Sequence, residues 1–257
     1  MNLDGRMLET KWWGPGPEAA PTLVLLHEGL GCVALWRDFP EVLAAETGCG
    51  VFAYSRFGYG NSDPVTLPRP MTYMHDEALN VLPRVLDASG VRRVVLIGHS
   101  DGGSIAAIHA GAVQDPRIVG VVMLAAHFFV EDLNIESILE IKQTYEEGDL
   151  RQRLGRYHRN VDVAFRGWND AWLDPRFREF DITEQVRRIR VPTLALQGTD
   201  DPYGSDEQLR VLERTARCSV ETRLIEGARH SPHLEAREAT LAAIVPFVRA
   251  VLVEAVA

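Results

Sequence analysis

The chain has 257 residues, 46% of them apolar and 25% charged, and its 36 acidic against 27 basic side chains give a net charge of −9. That length and balance suit one folded domain over residues 1–257, and the negative charge argues against a sequence-independent grip on nucleic acid or an anionic membrane surface. Apolar stretches such as Val119 to Ala126 are far short of the ~20 residues that span a bilayer.

The start, Met1 to Trp13, lacks the basic-then-apolar pattern of a secretory signal. Leu8 to Trp13 reads as an antiparallel edge strand, closed by the turn-rich GPGPEAAP. Short apolar runs then recur: Thr22–His27, Gly50–Ser55, Arg93–Gly98, Ile118–Ala125, Thr193–Gly198 and Ser219–Ile225. Most are continuously apolar rather than alternating, as in strands covered on both faces. Helical periods fill Asp76–Ser89, Ser104–Val113 and about Leu234–Val253. The expected fold class is therefore α/β, with a mainly parallel central sheet, right-handed crossovers and helices on both faces. From about 128 to 190 the apolar spacings of three, four and seven are purely helical, which predicts an inserted helical cap over one end of the sheet. Cys32, Cys49 and Cys218 are odd in number and scattered, so neither a disulfide framework nor a four-thiolate zinc site is expected. A cytoplasmic protein is the expectation.

The chemistry begins at Gly98-His99-Ser100-Asp101-Gly102-Gly103, between a strand pattern and a helix pattern. Glycines there allow a tight strand-to-helix turn that exposes the serine hydroxyl at a helix N-terminus, where developing negative charge is favoured. Such a nucleophile needs a base, and the base needs an orienting carboxylate. Asp200 and Asp201 follow the strand at Thr193–Gly198, and His230 and His233 follow the last strand. In parallel sheets these positions share the rim outside the strand carboxyl ends. His27 and His99 read as turn-packing histidines. Trp168, Trp172, Phe128, Phe129, Tyr157 and Phe165 read equally well as pocket lining or as the insertion's own core.

On these residues, from about Thr22 to the C-terminus, the chain resembles the serine-nucleophile branch of the α/β-hydrolase superfamily. The family's Gly-x-x-Asp and Gly-x-x-His spacings select Asp201 and His230, so the resemblance implies a Ser100, Asp201, His230 triad. It implies oxyanion donors at the N–H groups of Gly29, in Leu26-His27-Glu28-Gly29-Leu30-Gly31, and of Asp101. Tyr54 to Ser62, with Arg56, is similar to the family's Arg-x-Gly-x-Gly-x-Ser turn and reads as structural. Glu28 stands where the family usually has glycine.

The expected activity is hydrolysis of a small ester, thioester or lactone through an acyl-enzyme, with no metal and no cofactor. Its partner would be a small-molecule substrate rather than nucleic acid or membrane, with homodimerisation left open. Alternatives are a carbon–carbon bond hydrolase of ring-cleavage products, disfavoured by His99 and Ser231 where that family carries asparagine and tryptophan, and an aminopeptidase. From another class, a ligand-binding receptor with residual hydrolysis remains. Glu28 and Asp101, flanking the expected oxyanion donors, predict a negative potential that favours neutral or amine-bearing substrates.

Overall fold

The central strands run between two helical layers, which is why their sequences are apolar at consecutive positions. In the computed structural model, which describes residues 1–254, a hairpin of β1 (Asn2–Leu3) and β2 (Arg6–Met7) precedes the main sheet. That sheet comprises β3 (Thr10–Trp13), β4 (Thr22–Leu26), β5 (Gly50–Tyr54), β6 (Val94–His99), β7 (Ile118–Leu124), β8 (Thr193–Gly198) and β9 (Val220–Ile225). Its order is β3-β5-β4-β6-β7-β8-β9; β3 pairs antiparallel with β5 and every other pairing is parallel.

Alternate residues of the buried strands divide between two cores. Leu23 and Leu25 of β4, with Val95 and Ile97 of β6, pack against α1 (Phe39–Thr47) and the C-terminal helix. Val24, Leu26, Val94 and Leu96 face the other core. There α2 (Tyr73–Asp76) and α3 (Leu82–Ser89), joined by a π-helical turn at Glu77–Val81, share the layer with α4 (Asp101–Ala112). Each fully buried Val, Leu or Ile contributes roughly 1.5–3 kcal/mol.

Between β7 and β8 lie α5 (Asp132–Glu147), α6 (Leu150–Leu154), α7 (Val161–Leu173), a 3₁₀ turn at Pro175–Glu179 and α8 (Thr183–Arg188). A bridge between Phe129 and Asp181, with Ile182 N–H donating to Phe128 O at 2.8 Å, joins the two ends of this segment. Beyond that neck, α8 rejoins the sheet layer against α4, with Val186 in the main core. The chain closes with α9 (Glu207–Thr215), α10 (Pro232–Glu235) and α11 (Arg237–Glu254).

Several details differ from the sequence reading, the β1–β2 hairpin and the division of the expected Asp76–Ser89 helix among them. The expected Ser104–Val113 helix starts at Asp101, because its first turn hangs directly on Ser100. The expected Leu234–Val253 helix is interrupted at Ala236, whose φ of −134° and ψ of 54° are not helical. Helices α1 and α9 are additional to the expected elements.

The chain passes from β4 to β5 on one side, then to β6 on the other, so the loops after β4 and β6 diverge from adjacent strands. Such a switch point opens a crevice outside the strand carboxyl ends.

Candidate active site

Ser100 occupies that crevice in a strained conformation, with φ 52° and ψ −118°. A non-glycine residue held there costs on the order of 1–3 kcal/mol and persists only when its surroundings over-determine it. The surroundings do: Ser100 N–H donates to Leu124 O at 2.8 Å, and its carbonyl accepts from Gly103 N at 2.8 Å. Glycine is required on both sides of the turn. A Cβ on Gly98 would lie 2.1 Å from Gly102 O, and one on Gly102 would lie 1.9 Å from Leu26 O.

The structure brings Ser100, His230 and Asp201 together from the ends of β6, β9 and β8. Ser100 Oγ is 2.9 Å from His230 Nε2, and His230 Nδ1 is 2.9 Å from each Asp201 oxygen. Tyr203 N–H donates to Asp201 Oδ1 at 2.8 Å, and Gln197 Nε2 donates to Oδ2. Burial pushes the Asp201 pKa up, but the charge and hydrogen bond of His230 and the Tyr203 N–H outweigh it, leaving the carboxyl below its ordinary value. The β8 and β9 loops can meet because Gly198 has no side chain: a Cβ there would sit 2.1 Å from Arg229 O. Asp200 is exposed and His233 is buried among Trp36, Phe39 and His99, so neither joins this contact.

The turn after β4 faces Ser100. The N–H groups of Gly29 and Asp101 donate to no protein acceptor among the described residues. The indole of Trp168 fills the space beside Gly29, where a Cβ would come within 2.1 Å of Nε1. His27 braces the turn, with Nδ1 2.7 Å from Glu28 O and Nε2 accepting from Arg56 N–H at 3.0 Å. The buried Arg56 guanidinium donates to His27 O and, at 3.0 Å, to Glu28 O. Its role was not legible beyond the turn motif that contains it.

Both carboxylates expected to make the site negative have partners. Asp101 is fully buried; it accepts from Tyr73 Oη at 2.6 Å and Trp172 Nε1 at 3.3 Å, and lies 3.8 Å from Arg56 Nη2. Burial raises its pKa despite the Arg56 charge. Glu28 Oε2 is 3.3 Å from His99 Nδ1. The simple picture of two uncompensated charges therefore does not describe this site.

A cavity of about 150 Å³ reaches Ser100 and His230. Asn134 and Ile138 of α5 and Trp168 and Trp172 of α7 wall it, together with His127 and Tyr203. Of the six aromatic candidates, only the two tryptophans line it. Asn134 is placed by its helix start, where Oδ1 accepts from Glu131 N–H at 2.5 Å. His127, just past β7, shares the rim position of Ser100 and Asp201; its sequence neighbours carry no motif that would have singled it out. Burial, then the neighbouring His230, pushes its pKa down to about 3.

Among the described residues no group of three or more His, Cys, Asp or Glu side chains is placed to hold a metal ion, and no helix is long and apolar enough to cross a membrane.

A family model described as alpha/beta hydrolase matches residues 23–243. A non-heme chloroperoxidase of Streptomyces lividans is 28% identical over 94% of this chain and 97% of its own. A bifunctional esterase/perhydrolase of Acinetobacter calcoaceticus is 25% identical, covering 77% and 80%. In fold, the chain is similar to a proline iminopeptidase of Mycobacterium smegmatis, with a TM-score of 0.78 at 18% identity over 99% of this chain and 98% of that one.

Proposed function

The chain belongs to the alpha/beta hydrolase family and is a hydrolase, and from that premise we propose that it cleaves a small ester, thioester or lactone through an acyl-enzyme. The contact of Ser100 Oγ with His230 Nε2 at 2.9 Å, backed by Asp201, carries the reading. His230 takes the hydroxyl proton as Ser100 Oγ bonds to the substrate carbonyl carbon, and the carbonyl electron pair moves to oxygen. The N–H groups of Gly29 and Asp101 bind that oxyanion; removal of one such donor elsewhere costs about 3 kcal/mol of barrier. Collapse expels the alcohol or thiol, protonated by His230; in a lactone it remains tethered to the acyl group. Water, deprotonated by His230, then releases the acid and restores Ser100.

Helices α5 to α7 serve as a cap whose walls set acyl size. A small-molecule substrate is the only partner this chemistry requires. Free Cys32, Cys49 and Cys218 suit a reducing, cytoplasmic setting.

The test uses a fluorophosphonate probe and short p-nitrophenyl esters. Wild type should be labelled once and turn over continuously, and Ser100→Ala should lose both. Undiminished labelling of the alanine variant removes Ser100 as nucleophile. A single burst followed by silence favours the receptor reading.

A further inference from the structure

The proposed mechanism leaves His99 without a task. Its buried ring sits one residue before Ser100, and both ring nitrogens face acceptors. Nε2 is 2.7 Å from the carbonyl oxygen of His230, and Nδ1 is 3.3 Å from Glu28 Oε2. A neutral imidazole carries one N–H, so it can serve only one of these and turns a lone pair toward the other. An imidazolium serves both.

We infer that His99 acts as an imidazolium clasp between the loop carrying His230 and the loop carrying Glu28 and Gly29, a positioning residue whose deprotonation at alkaline pH lowers activity. The inference rests on the proposed roles of His230 and Gly29. It gives the departure at Glu28 a purpose. The carboxylate folds back over Gly31, where a Cβ would lie 2.3 Å from Oε2, and this brings it to His99.

Of the groups packed around His99, Glu28, Asp201 and the His230 carbonyl favour the charged form. Glu28 approaches from the β4 loop, Asp201 from the β8 loop, and His230 and His233 from the region after β9; Trp36 closes one side and His127 lies beyond His230. Burial opposes the charge on His99, but the hydrogen bond and charge of Glu28, then the His230 carbonyl and Asp201, raise its pKa above the ordinary value. Despite its own burial, Glu28 is held well below the usual carboxylate range by His99. Burial and His99 itself keep His233 neutral, and burial keeps His127 neutral. Neither adds a competing cation.

Two measurements test this. In ¹⁵N-labelled Ser100→Ala protein, long-range nitrogen–proton spectra at pH 7 should show His99 protonated at both nitrogens, and Glu28→Gln in that background should remove one proton. This reading needs no turnover, so it stands or falls separately from the proposed chemistry. In the active enzyme, kcat should fall on an alkaline limb that Glu28→Gln moves down by about one to three pH units, with KM little changed. Glu28→Asp, which restores the charge, should recover part of that shift. A neutral His99 at pH 7, or an alkaline limb that Glu28→Gln leaves in place, overturns the clasp. Should Glu28→Gln not fold, the His99 spectrum of the Ser100→Ala protein alone decides.

Discussion

Arg56 and Asp101 form a buried pair, Nη2 to Oδ2 at 3.8 Å, that ties the turn after β5 to the first residue of α4. Arg56 also caps the carbonyls of His27 and Glu28, so one guanidinium fixes the separation of the two peptides expected to hold the oxyanion. Removing the cation leaves Asp101 buried with only the neutral donors Tyr73 and Trp172 and no charge partner, whereas removing the anion leaves Arg56 its two carbonyl acceptors. Arg56→Met should therefore destabilise by about 3–5 kcal/mol, lowering Tm by roughly 10 °C. Asp101→Asn, which replaces a carboxyl already shifted toward neutrality, should cost clearly less. Thermal unfolding of the two variants checks the order, and a larger loss for Asp101→Asn would show that the carboxylate, not the guanidinium, anchors the junction.

Asp201 and Asp200 are neighbours in sequence with opposite surroundings, one buried against His230 and one exposed. Asp201→Asn should cost roughly 10⁴ in turnover through loss of the correct imidazole tautomer, and Asp200→Asn very little. The same carboxyl gives a pH signature. Its folded pKa lies below the unfolded value, so its stabilising contribution is present above about pH 4 and is lost as pH falls through the folded pKa. Urea unfolding of wild type and Asp201→Asn should show a stability gap at pH 7 that narrows by pH 3. A gap that widens on acidification would contradict stabilisation of the Asp201 carboxylate by His230 and the Tyr203 N–H.

Much of this was legible because it is local. Ser100 is written into a glycine-flanked turn, and the strands announce themselves through continuous apolar runs. The proximity of His230 to Ser100 could be anticipated because both follow parallel strands, whose carboxyl ends share one rim. Helix α9 is hard to read because Glu207–Thr215 is short and largely polar, with only Leu209 and Leu212 burying apolar side chains. Arg56, His127 and the Glu28–His99 contact were opaque for another reason. Their partners lie 28 to 71 residues away, or, for His127, on a helix whose position over the rim no linear pattern reports.

Trp168 and Trp172 are one helical turn apart, yet they face different tasks. Trp172 donates from Nε1 to Tyr73 Oη at 3.0 Å and packs on Phe177 with ring centroids 4.8 Å apart, so Trp172→Ala should cost about 3–5 kcal/mol in stability. Trp168 closes the cavity against Gly29. A space of about 150 Å³ suits a group near the size of benzene, so wild type should prefer short acyl chains. Trp168→Ala should move the preference toward longer p-nitrophenyl esters at a smaller loss of Tm. Equal Tm losses with an unchanged chain-length profile would make Trp168 a core residue.

His127 and His230 stack at 5.6 Å with an interplanar angle of 24°, both bordering the cavity that reaches Ser100, and only one has a carboxylate behind it. Behind His127 stands the amide of Asn134, whose Nδ2 is 3.5 Å from Nδ1. An amide donor there favours a proton on Nε2 but gives no charge to stabilise an imidazolium, and burial does the rest. With its pKa pushed down to about 3, His127 stays neutral and is a poor proton acceptor at neutral pH. His230→Gln should therefore cost at least about 10²-fold of turnover. His127→Gln, which keeps a neutral donor at the cavity wall, should retain most activity. Measuring kcat/KM for both variants separates the two rings, and an equally deep loss in His127→Gln would mean that the proton passes through the other imidazole.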